Sequence, residues 1–135
     1  MDVISTVAAV ISLCSILVQC IGEFVSHTGA NEIVNALRQD LQELFRELGL
    51  LRSALLQDVR LEPQIEAGVI AVIKDSQIEL SKLQLILPDV KGSKTWNSIK
   101  NQFMLKVQNG DVLHVQQRVV RCQQSIHFYL TLVNA

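Results

Sequence analysis

Side chains that could serve as base, nucleophile or metal ligand are few in this chain, and their spacing suits none of those tasks. His27, His114 and His127 include no pair at i, i+4 with a carboxylate between them, the pattern that lets one helix face hold zinc. They read as solvated groups, one in a loop and two on the last helix. Cys14, Cys20 and Cys122 lack metal-like spacing, and an odd number of thiols fits a reducing cytoplasm better than a disulfide framework. Cys122 falls on an apolar stripe with no base placed to ionise it, so it reads as core. Asp40, Glu43 and Glu47 approach one helix face and raise the question of paired carboxylates. Arg46 lies among them, however, and a solvated, charge-compensated face accounts for the pattern. Neither a G-x-G-x-x-G turn nor a G-K-[ST] loop occurs, which argues against the common nucleotide-binding loops. No catalytic residue, cofactor or metal is expected.

Composition narrows the remaining classes. The chain has 135 residues, enough for one domain that buries about two-thirds of its unfolded surface without staples. Its 12 Lys and Arg against 13 Asp and Glu leave no basic footprint for nucleic acid and no polybasic run for anionic lipid. Apolar residues make up 49% and aromatic residues only 4%, a balance suited to aliphatic helix packing.

What remains is residues 3–22, twenty positions with no charged side chain. As a helix the stretch has two unlike faces. Val3, Val7, Val10, Leu17 and Ile21 recur at steps of three and four together with Cys14 and Phe24, and Ile4, Ile11, Leu13, Val18 and Val25 widen that apolar face. Opposite them, Ser5, Ala8, Ala9, Ser12, Ser15 and Gly22 form a small, weakly polar stripe of the kind that allows close helix association. Twenty residues reach about 30 Å, the hydrocarbon thickness of a bilayer. Yet three serines, a threonine and a glutamine offset the gain of roughly 0.3–0.6 kcal/mol from each Val, Ile or Leu, so insertion is marginal. The helix can therefore be a membrane segment, a core helix, or each at different times. Asp2 and a first lysine or arginine only at Arg38 argue against a secretory signal and N-myristoylation.

Further elements follow the same period. Gly29 breaks the first helix, and Thr28 or Asn31 can cap a second, whose stripe runs Ile33, Leu37, Leu41, Leu44, Leu48, Leu51, Leu55 and Val59. Gly49 inside it suggests a bend or a close crossing. Pro63 opens a third helix, with Ile65, Val69, Val72, Ile73, Leu80, Leu83 and Leu87 inward, polar Asp75, Ser76 and Gln77 interrupting, and Pro88 as its stop. A connector over 89–94 leads to a shorter segment with Trp96, Ile99, Phe103 and Val107. Asp111 is placed to cap a last helix with Val112, Val115, Val119, Cys122, Ile126, Tyr129 and Val133 inward. The fold expected is all-α, a four- to five-helix up-and-down bundle with an apolar N-terminal helix. The abrupt end after the last helix suggests the first module of a longer protein.

Met1, Asp2, Val3, Ile4 and Ser5, the apolar first helix, Leu37, Leu41, Leu44 and Leu48, the late Trp96, and the closing Leu130, Thr131 and Leu132 resemble together the HeLo-like N-terminal domain of fungal NLR-type (STAND) proteins. The resemblance spans nearly the whole chain and is one of layout, with no catalytic signature; Val3 stands where members commonly carry proline. It implies a bundle related to HeLo domains and to that of the necroptosis pseudokinase, at the head of a receptor with downstream NACHT- or NB-ARC-type domains. It further implies a cytoplasmic protein that self-associates on activation and relocates to the plasma membrane. There the first helix, residues 3–22, would meet membrane lipids and trigger regulated cell death or heterokaryon incompatibility. A soluble interaction or oligomerisation adaptor without membrane activity is the alternative.

Overall fold

A computed structural model describes residues 2–29, 31–57, 60–87 and 95–134, and within them the chain is helical, with no strand. Val59, Pro88 and the connector at 89–94 lie outside the described residues. Five helices follow in order, α1 Val3–Thr28, α2 Glu32–Leu55, α3 Pro63–Ile86, α4 Trp96–Gln108 and α5 Asp111–Val133.

Their ends follow from capping chemistry. Asp2 accepts from the Ser5 amide at 2.7 Å, Asn31 from the amides of Ile33 and Val34, and Thr95 from that of Ser98, each satisfying donors that a helix start leaves unpaired. Pro63 occupies the first turn of α3, where a missing N–H costs nothing. Two expectations are corrected here. His27 is not in a loop but in the last turn of α1, which runs to Thr28 because Phe24 and Val25 continue its apolar stripe; Gly29 (φ 85°) then makes the stop. Nor does Asp111 cap α5: Gly110, in the left-handed region at φ 83°, takes that position, and Asp111 sits in the first turn, where a negative charge suits the helix dipole. The β-branched run at 69–73 is helical.

The four long helices form a closed ring. α1 packs on α2 and α3, and α5 packs on the same two from the other side, so α2 and α3, consecutive in sequence, stand across the bundle from each other. Cross-helix bonds set the directions. Asp40 accepts from Gln116 at 2.9 Å and Glu47 meets His127 at 3.2 Å, which makes α2 and α5 parallel. The long helices alternate up and down along the chain, as expected, but the ring order is α1, α2, α5, α3. α4 lies over one end, against α1 and α5, and Lys106 Nζ donates to the last-turn carbonyl of Ile86 at 3.1 Å.

A single aliphatic core joins all five helices. Leu37, Leu41, Leu44 and Leu48, together with Val119, Ile126 and Phe103, are buried, whereas Trp96 and Tyr129 are half-buried at its margin. Ser76, within the polar interruption of α3, is fully buried, and its hydroxyl donates to the Val72 carbonyl at 2.8 Å. The close crossing is at Gly68, not Gly49. Nothing stands near Gly49, while a methyl at Gly68 would run into the Tyr129 ring of α5.

Candidate functional site

The first helix is seated by one face only. Val7, Val10, Cys14, Leu17, Ile21 and Phe24 are buried between α2 and α3. Val3, Ile4, Ile11, Leu13, Val18 and Val25 are half-buried at the edges, as are Ala8, Ser15 and Gly22. Ser5, Ala9, Ser12, Ile16 and Gln19 form the exposed line, with Ile16 54% exposed. Ile16 belongs to neither stripe traced from the sequence, although its spacing from Ser5, Ala9 and Ser12 places it on their side. At Gly22 the small stripe serves the bundle itself, since the Arg38 guanidinium from α2 lies across it, 3.6 Å from where a Cβ would stand. In the most apolar 18-residue window of α1, 28% of the residues are buried, and the others are half-buried or exposed.

What holds α1 is almost wholly apolar. Among the described residues no ion pair joins it to the rest. Cys14 Sγ donates to the Leu41 carbonyl at 3.4 Å, and burial pushes that thiol up to about 12. Phe24 meets Phe103 edge-to-face at 4.9 Å, and His27 stacks on Trp96 at 4.2 Å with the rings 9° apart. The expected surface histidine is thus exposed but paired with the one tryptophan.

Magnitude decides where such a helix can go. Exposing Val7, Val10, Leu17, Ile21 and Phe24 to water would cost about 8–15 kcal/mol, at roughly 1.5–3 kcal/mol per side chain. That equals the whole stability of a typical domain, about 5–15 kcal/mol. Water therefore offers α1 no stable place outside its seat. Among the described residues, α1 is the one helix long and apolar enough to cross a bilayer.

Charged side chains gather on the flanks of α5. Glu47, expected on a solvated face, is 3% exposed. One of its oxygens meets Arg46 at 3.1 Å and His127 at 3.2 Å, and the other is buried with no hydrogen-bond partner. The physical reason is that α2 faces both α1 and α5, so its buried face is wider than one leucine stripe. Glu43 is paired with Arg46, and that hydrogen bond holds its carboxyl below the usual carboxylate range. These residues with Gln123 and Gln124 line an open groove of about 400 Å³. On the other flank, Glu79 accepts from Arg118 at 3.2 Å and lies 3.4 Å from Lys82. Cys122 is buried as expected, and burial pushes its thiol up. Among the described residues, no three His, Cys, Asp or Glu side chains are grouped to hold a metal ion.

Comparison of the chain with protein-family models, with curated proteins and with solved structures gives no match.

Proposed function

We propose that this domain is a signalling effector that stores α1 in the bundle, self-associates on activation and delivers α1 to a membrane, in the manner of the HeLo-like domains it resembles. The observation that carries the reading is the combination in α1 of bilayer length, no charge over residues 3–22 and, among the described residues, a seat free of ion pairs. Moving α1 into lipid then separates no charge pair, and the hydrocarbon receives the side chains that water would reject. The consequences belong to the same proposal: relocation from cytoplasm to plasma membrane, and regulated cell death or heterokaryon incompatibility under control of downstream NACHT- or NB-ARC-type domains.

Vesicle leakage by purified protein, alone and forcibly clustered, tests it. Clustered protein is expected to release contents. Ser12→Asp, which adds a charge to the already exposed face and leaves the core intact, is expected to stop release, because an aspartate at mid-helix costs roughly 2.5–3.5 kcal/mol on insertion. No release by the clustered wild type, or equal release by Ser12→Asp, contradicts the proposal.

A second reading, a soluble interaction or oligomerisation adaptor whose first helix never leaves, draws on the complete burial of Val7, Val10 and Cys14. It requires that deletion of residues 1–22 unfold the bundle. A deleted chain that melts like its parent removes this reading.

A further inference from the structure

We propose that α4 is a clasp on α1 that sets how readily the first helix parts from α2 and α3. The only aromatic side chains of α1 are Phe24 and His27, and both meet α4, through Phe103 and Trp96. The other buried side chains of α1 are aliphatic apart from Cys14, and among the described residues no ion pair reinforces them. α4 is also the shortest helix, with 13 residues, and packs mainly on α1 and α5, with one bond from Lys106 to the Ile86 carbonyl of α3. Its side-chain cap is a single 3.3 Å bond from the Ser98 amide to Thr95. Buried Phe103 and half-buried Trp96 therefore close over the last two turns of α1 from a short element. Lifting α4 uncovers Phe24, and the aliphatic remainder of α1 is left to hold alone. The free energy of a local opening is set by the packing that the opening breaks, so α4 acts on α1 before it acts on the bundle as a whole.

The biological meaning of the clasp rests on the membrane reading above, but its test does not. Hydrogen exchange of the full chain, followed peptide by peptide, is compared for wild type, Trp96→Ala and His27→Ala. Exchange in α1 is expected to rise roughly 3- to 10-fold in each variant, while α2 and α3 keep wild-type rates. His27→Ala keeps the test open if Trp96→Ala unfolds. His27 is exposed, and alanine is the better helix former, so faster exchange there cannot come from lost propensity. Unchanged α1 exchange in His27→Ala, or equal acceleration in its α1, α2, α3 and α5, overturns the clasp. Vesicle leakage by the same proteins separates the two ideas. Faster α1 exchange without any leakage upholds the clasp and removes the membrane role; leakage with unchanged α1 exchange removes the clasp and upholds the membrane role.

Discussion

Glu47 is the residue whose surroundings conflict most with its chemistry, and replacing it by methionine of similar length and shape gives a result with a definite sign. The carboxylate is 3% exposed, and one of its oxygens is buried without a partner. Leaving a buried acceptor unpaired costs about 1–3 kcal/mol. The other oxygen meets Arg46 and His127, whose side chains are 56% and 67% exposed. Pairs with such solvated partners contribute about 0.2–1 kcal/mol each. A methionine keeps the buried methylenes and adds an apolar end worth about another 1 kcal/mol. Glu47→Met should therefore stabilise the protein by about 1–2 kcal/mol, a rise in Tm of roughly 3–8 °C for a chain of this size. Thermal and urea unfolding at neutral pH measure it. A fall in Tm of more than about 3 °C would refute the reasoning and mean that the carboxylate itself holds α2 to α5.

Three further outcomes follow from the same packing. Gly68→Ala should destabilise despite a gain of about 1 kcal/mol in helix propensity, because the new methyl displaces the Tyr129 ring; the double change with Tyr129→Ala, measured by urea unfolding, should restore the gain. Asp2, through its bond from the Ser5 amide, has its carboxyl held below its ordinary range. A depressed folded pKa contributes stability above the unfolded value, near 4, and loses it as pH falls through the folded one. Asp2→Ala should thus be less stable than wild type at pH 7, with the difference shrinking as pH falls below about 4, as read by unfolding over that range. Cys14, pushed up to about 12 and fully buried, should react with an alkylating agent at pH 8 at least on the order of 10³-fold more slowly than in the unfolded chain, as measured by alkylation rates of folded and urea-unfolded protein.

Much of this architecture was legible from period alone. The four-three spacing of Leu37, Leu41, Leu44, Leu48 and Leu51 marked the inward face of α2; Pro63 marked the start of α3, while Asn31 was one of two candidate caps, beside Thr28, for α2. The two-faced character of residues 3–22 was equally plain, since Val7, Val10, Leu17 and Ile21 are the residues that turn inward and Ser5, Ala9 and Ser12 those that turn out. What periodicity cannot carry is which helices are neighbours. Glu47 looks solvent-facing until α5 is laid beside α2, and its partner His127 is 80 residues away. The same holds for His27 and Trp96, which belong to separate elements, and for Tyr129, whose seat exists because Gly68 has no side chain. Gly110 escaped for a different reason. A left-handed cap is a property of one backbone angle, and the adjoining Asp111 offered the more familiar capping chemistry.

The central claim is that α1 leaves its seat when the protein is clustered on a membrane. Spin labels at the exposed positions Ser12 on α1 and Gln77 on α3, in a chain whose three cysteines are replaced by alanine and diluted with unlabelled protein, measure this as an interhelix distance. In water the distance should be single and narrow, as set by the packing of α1 on α3. Clustering on vesicles should lengthen and broaden it in step with leakage, whereas vesicles that leak while the distance stays as in water would contradict the account.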